Sequence, residues 1–360
     1  MSSPSSAGRV FFRLLLVVAV LLALGGTAVY LSLRGVYQGF NQPVIVDFPK
    51  GTSAQLMAEE LSRAGVVEYA WQFLLVRALH PGARLQAGEY QFARADSPRG
   101  VFDRIVRGDV FFYELVVPEG SSIFDIAASI DRFDFMKGSD FLRAARNPSL
   151  IHDLAPKAPT LEGYLFPSTY RVTRSTTVEQ LCRMMTDLFR KHWRELQNAP
   201  QPGSVNAAVT LASMVEKETA VPEERPLVAS VYANRLRLGM ALDCDPTTIY
   251  AALLDQRYRG TIYRSDLNSV NEYNTYQHAG LPPGPIANPG AESLKAALAP
   301  ADSDYLYFVA KPDGSGRHKF SRTIEEHNRA VAQYRHGLKA EAAPDPPRAG
   351  RQAGKRRHRT

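Results

Sequence analysis

Between Arg13 and Arg34 the chain runs LLLVVAVLLALGGTAVYLSL, 20 residues (14–33) without a charge. A helix of that length and composition crosses a bilayer, so this segment is set apart from whatever globular fold follows. Arg9 and Arg13 flank its start, and the positive-inside rule keeps residues 1–13 in the cytoplasm and exports the remainder. The small residues GGTA at 25–28 also fit the end of a cleaved signal peptide. The run is long for a signal h-region, and an uncleaved anchor over 14–33 is the expectation.

The net charge of +7 invites a nucleic-acid reading until it is located along the chain. Residues 1–34 hold three arginines and no acid, and the segment from Lys339 onward carries seven Lys/Arg against Glu341 and Asp345. The body between them is about neutral, so no basic recognition face and no nucleic-acid partner is expected. The end, 339–360, is rich in Pro, Ala and Arg with almost no large apolar residue, a composition that predicts disorder. Two cysteines without clustered histidines make no zinc site. Cys182 lies in an apolar helical pattern, where a buried free thiol is the commoner state.

VIVDFP (44–49) reads as a strand, after which Ser53 caps a helix with Leu56, Ala58, Leu61 and Ala64 on one face. A helix over 70–79, a strand over 88–93 and a helix over 99–106 follow, giving a small β-α-α-β unit. FFYELVVPEG (111–120) opens a second region with helices near 122–131, 139–146 and 177–196, and the aromatic stretch EGYLFPSTYRV (162–172) between them. A third region, about 205–338, has helices opening at about 205, 225 and 291, strands at 305–310 and HKF (318–320), and a last helix from about Thr323. Its Asn-, Pro-, Gly- and Tyr-rich stretch over 243–290 is too long for a plain connector, and such loops carry function.

The first helix of that third region ends in LASMVEKETAV (211–221). At 100° per residue, Glu218 falls about 20° from Leu211, inside the arc of Ala207, Ala208, Met214 and Val215, and Glu216 falls about 140° away. Glu216 therefore reads as outward-facing. A carboxyl on the apolar side is desolvated and keeps its proton near neutral pH, as a general acid must. Periodicity leaves other readings open: the helix ends here, or Glu218 pairs with a buried arginine such as Arg225 or Arg235. Asp245, in DCDPTTIY, reads as a second carboxylate or as the N-cap of a helix starting near Pro246. Tyr273, Asn274, Tyr276 and His278 offer ring faces and donors suited to a sugar, and equally suit a packed loop. His318, Glu326 and His327 lack diagnostic metal spacing and read as strand-end and solvated-helix positions. The chain has no G-x-S-x-G, H-E-x-x-H, P-loop or G-x-G-x-x-G motif.

Taken together, ASMVEKETAV, VASVYANRLRLGMALDCDPTTIYA, YNTY, GLPPGPIANPGAESLKAAL and YLYFVA…HKFSRTIEEHN resemble, in order and spacing, the endolytic murein transglycosylase (YceG-like) family, and EGYLFPSTY resembles a further block of it. The resemblance covers about 40–338. It implies an α+β fold in this order: a cytoplasmic N-terminus (1–13), a transmembrane helix (14–33), a small LysM-like βααβ subdomain (43–108) and a catalytic domain (109–338), before the tail (339–360). It implies a bacterial inner-membrane enzyme facing the cell wall. That enzyme cleaves the MurNAc–GlcNAc bond inside nascent glycan strands without adding water, leaves 1,6-anhydro-MurNAc ends and terminates elongation beside the synthases. The family's essential glutamate maps onto Glu218, and Glu162, Tyr164, Asp245, Asn274 and Tyr276 are expected to line the cleft and hold the sugars. No cofactor or metal is expected. The rival expectations are a muramidase-type hydrolase with Asp245 as second carboxylate, and a non-catalytic wall-binding scaffold.

Overall fold

A computed structural model describes residues 6–196 and 204–341. In chain order the elements are α1 (Ser6–Arg34), β1 (Val44–Phe48), α2 (Ala54–Arg63), α3 (Ala70–Leu79), β2 (Gly88–Phe92), α4 (Pro98–Arg107), β3 (Tyr113–Val117), α5 (Ile123–Ile130), α6 (Gly138–Ala145), β4 (Ser168–Val172) and α7 (Val178–Leu196). There follow α8 (Val205–Glu218), α9 (Arg225–Arg237), α10 (Asp245–Leu254), α11 (Arg264–Leu267), α12 (Ala291–Leu298), β5 (Tyr307–Ala310), β6 (His318–Ser321) and α13 (Ile324–Glu341). The fold is thus mixed α and β. Most of the predicted tail, 342–360, lies outside the described residues, but its first three residues continue α13.

Two compact units divide the chain: 1–115 with 170–176, and 116–169 with 177–360. In the first, Phe11–Arg34 of α1 is long and apolar enough to cross a membrane, and none of it is buried. The β-α-α-β order is present, with β1 and β2 antiparallel from Val44↔Phe92 to Phe48↔Gly88. Alternation along both strands turns Val46, Phe48, Tyr90 and Phe92 onto Leu61, Phe73, Phe102 and Ile105, which form the unit's core. Local signals bound the helices as expected. Ser53 accepts from the Leu56 N–H, Ser97 accepts from the Gly100 N–H ahead of Pro98, and Gly108 closes α4 in the left-handed conformation.

In the second unit α8 is the central helix, packed by α9, α10 and α12. Val209 to Val215 are all buried, so this helix has little free surface. Strands β5 and β6 form an antiparallel hairpin from Tyr307↔Ser321 to Ala310↔His318, and α13 packs on it. Strands β3 and β4 form a third two-stranded sheet. Both cysteines are buried free thiols.

Candidate active site

Glu218 is the last residue of α8, where the negative pole of the helix disfavours a carboxylate. The chain then leaves the helix in extended geometry at Thr219, whose Oγ1 accepts from the Val221 N–H before Pro222 opens a short 3₁₀ turn. Two donors converge on one carboxyl oxygen: the Tyr232 hydroxyl gives 2.9 Å and the Cys244 thiol 3.2 Å to Oε1. Among the described residues Oε2 has no hydrogen-bond partner. Burial, the largest influence, pushes the Glu218 pKa up. The two hydrogen bonds oppose that rise, Asp245 adds to it, and His318 opposes it more weakly.

Neither arginine that could have neutralised Glu218 does so. Arg225 faces Glu216 at 3.4 Å and Glu119 at 3.7 Å. Arg235 donates to the carbonyls of Leu306, Ala241 and Leu242 and to Asp243, all within 3.1 Å, and its guanidinium lies 5.0 Å from the centroid of the Tyr307 ring. That guanidinium ties α9 to β5 and to the loop before α10. Glu216 departs from its expected outward position, for its side chain is 6% exposed and also accepts from the Gly290 N–H at 2.9 Å. The helix is covered on both sides, so the side opposite the first apolar face is another interior.

Glu218 opens onto a cleft of about 630 Å³ lined also by Tyr232, Arg235, Asp245, Tyr276, Tyr307 and His318. Asp245 is the first residue of α10, with Cys244 at the N-cap position, and accepts from the Tyr276 hydroxyl at 2.8 Å. Cys244 is fixed from behind: its N–H donates to Thr275 Oγ1, which pairs with Thr247 Oγ1 at 2.9 Å. His318, on β6, is held by Glu224, which accepts from its backbone N–H at 3.0 Å and from its Nδ1–H at 2.8 Å. Local periodicity gives no reason to place Tyr232, Cys244 or His318 here, and Arg235 is expected, if anywhere near Glu218, as its ion-pair partner. The only trace was His318 alternating with Phe320 on a short strand.

Three of the expected sugar-holding residues lie elsewhere. Asn274 is fully buried, donates to the carbonyls of Leu267 and Ser269, and accepts from Thr248 and from the Tyr276 N–H. Tyr164 is buried with its hydroxyl on Asn206 at 3.1 Å. Glu162 is fully buried; it accepts from the Ile123 N–H at 2.9 Å and from the Asn288 amide at 2.8 Å. Asn288 also takes the N–H groups of Gly163 and Leu165, so the EGYLF and PIANPG segments form one polar hub beneath the cleft domain's surface. A Cβ on Gly163, at φ +87°, would lie 2.5 Å from Pro285, which explains the glycine.

Burial pushes the Glu162 pKa up to about 8, with its hydrogen bonds acting against the rise. The folded state therefore holds this proton more tightly than the unfolded chain, whose carboxyl titrates near the ordinary value of 4.5. The stabilising effect is complete below that value and is lost as pH rises toward 8, at up to about 1.4 kcal/mol per pH unit. Glu162→Gln is expected to flatten the stability–pH curve between those limits by up to one proton. Denaturant unfolding across that range checks it, and an unchanged slope contradicts the burial effect.

A desolvated carboxyl with one oxygen satisfied by neutral donors and the other facing an open cleft has the features of a general acid and base. The chain belongs to the YceG-like family, which it matches over residues 46–333. It is 30% identical to the endolytic murein transglycosylase of Bacillus subtilis strain 168, over 87% of this chain and 91% of that one. It is 29% identical to the protein of the same name from Streptococcus pneumoniae strain D39, over 91% of this chain and 65% of that one. The crystal structure of a yceG-like protein from Listeria monocytogenes aligns with a TM-score of 0.52 at 32% identity, covering 80% of this chain and 99% of that one.

Proposed function

We propose that this chain is a membrane-anchored peptidoglycan transglycosylase that cuts inside glycan strands by a lytic route, with Glu218 as the only general acid and base. The observation that carries the reading is the Glu218 carboxyl itself, half-buried and desolvated, unpaired with any cation in the ion pairs described, and capped on Oε1 by Tyr232 and Cys244. The names of the relatives support the substrate class.

The proposed order of events is as follows. With Oε1 engaged as an acceptor, the proton resides on Oε2 and is delivered to the glycosidic oxygen between MurNAc and GlcNAc. As charge develops on the carboxylate, the hydrogen bonds from Tyr232 and Cys244 become charge-assisted and strengthen. The same carboxylate then removes the proton of the muramyl 6-hydroxyl, which closes on the anomeric carbon. The C1–O bond to the leaving sugar breaks, the C1–O6 bond forms, and the product ends in 1,6-anhydro-MurNAc. Both reacting groups belong to one sugar, so proximity replaces the water that a second carboxylate would otherwise activate. Asp245 and Tyr276 pair at the cleft wall and hold sugar hydroxyls; His318, fixed by Glu224, faces the same space.

In this reading α1 anchors the enzyme in the cytoplasmic membrane with residues 35 onward on the wall side, and cutting nascent strands beside their synthases terminates them. The β1-α2-α3-β2 unit supplies a LysM-like grip on glycan. Digestion of purified glycan strands followed by mass spectrometry tests the reaction. Anhydro-muramyl ends are the expected product. Reducing MurNAc ends would instead assign a hydrolase using Asp245, and an absence of new ends would assign a scaffold.

A further inference from the structure

Helix α3, AWQFLLVRAL, is apolar almost all round, yet only part of it is covered. Its buried residues are Gln72, Phe73 and Val76. At 100° per residue Trp71, Leu75, Ala78 and Leu79 spread over about 100° outside that arc. Trp71 is 43% and Leu79 63% exposed. Tyr69, 52% exposed, stacks on Trp71 with ring centroids 6.5 Å apart and planes 16° from parallel. A contiguous aromatic and aliphatic face of this kind marks an interaction surface.

What covers it follows from where α3 meets the anchor. The Gln72 amide donates to Ser32 Oγ at 2.8 Å and to the Ser32 carbonyl at 3.3 Å, and Leu33 packs on the core of the same unit. A hydrocarbon layer of about 30 Å takes about 20 helical residues, the length of the charge-free run 14–33. Ser32 then lies at the outer edge of that layer, against the head groups, with the Arg34 guanidinium 4.9 Å from the Tyr30 ring centroid just beyond the apolar span. The residue bonded to Ser32 directly follows Trp71, so the first turn of α3 shares that level. Trp and Tyr favour this depth because each joins an apolar ring to a polar N–H or O–H.

We propose that Tyr69, Trp71 and the outer stripe of α3 lie in the boundary between head groups and acyl chains of the membrane that α1 crosses, so the N-terminal unit rests on the bilayer surface. The proposal rests on the anchor reading above. Trp71 and the buried Trp193 are the two tryptophans of the chain, which makes emission a direct probe. The full-length protein in phosphatidylcholine vesicles should lose more Trp emission to lipids brominated near the carbonyls than to lipids brominated deep in the chains. Trp71→Phe should abolish that loss.

Alkaline carbonate extraction of the same vesicles separates the two readings. Protein that is retained but shows no bromine quenching overturns the surface-contact proposal and leaves the anchor standing. Protein that is extracted overturns the anchor and, with it, this proposal. Blue-shifted but unquenched Trp71 emission would mean that a second protein surface covers the stripe, and also overturns it.

Discussion

Glu218→Gln is expected to lower glycan cleavage by about 10²–10⁴-fold while leaving the fold intact, the range that a positioned general acid supplies. The amide keeps an oxygen for Tyr232 and Cys244, so the polar contacts at Oε1 survive the change. Stability at neutral pH should not fall, because removing a desolvated acid with a raised pKa removes a group that favours the unfolded chain once it ionises. The pH profile follows from the same shift. The acid step needs protonated Glu218, so its rate should fall as pH rises through a value above the ordinary glutamate pKa, and the variant should lack that limb. Steady-state cleavage of purified glycan with unfolding curves on the same preparations reads both effects. A Gln variant within a few-fold of wild type would remove Glu218 from the chemistry.

Much of this was legible in the chain. The charge-free 14–33 run named α1, and alternation and caps named β1-α2-α3-β2. The helical wheel failed on Glu216 for a physical reason. It measures one face against its opposite, and α8 is packed by α9, α10 and α12 at once, so both faces are interior. Glu162 and Tyr164 are expected in the cleft from the family resemblance and Asn274 also from its aromatic and amide neighbours; in the fold all three are buried and satisfy interior polar groups. The groups that complete the Glu218 site come from elsewhere in sequence. Tyr232 is on α9, Cys244 precedes α10, and His318 is held from a turn 94 residues away. No periodicity encodes such pairings; only the packing does. Residues 170–176 likewise fall with the N-terminal unit, although 170–172 read locally as the end of the aromatic stretch 162–172.

Arg225→Met is the change expected to cost the most stability. The guanidinium, 11% exposed, is shared between Glu216 at 3.4 Å and Glu119 at 3.7 Å, and Glu216 in turn accepts from the Gly290 N–H that opens α12. Methionine fills the space of the stem and leaves the Glu216 carboxylate buried without its cation. Breaking one side of a buried pair typically costs about 3–5 kcal/mol, and the long N···O distances here place the expectation toward the lower figure. Glu216→Gln in the Arg225→Met background should recover a substantial part, because an amide needs no counter-charge and still accepts from Gly290. The loss in Arg225→Met is thus an uncompensated charge rather than a cavity. Cleavage per folded molecule should stay close to wild type, since neither Tyr232 nor Cys244 depends on Arg225. Urea unfolding of the single and double variants, read beside glycan cleavage, measures the coupling. A single variant within about 0.5 kcal/mol of wild type would show that the pair is solvated and carries no structural role, for surface changes fall in that range. Of the two glutamates of VEKET, Glu216 fastens α8 to α9 and α12, and Glu218 is the one proposed to handle protons.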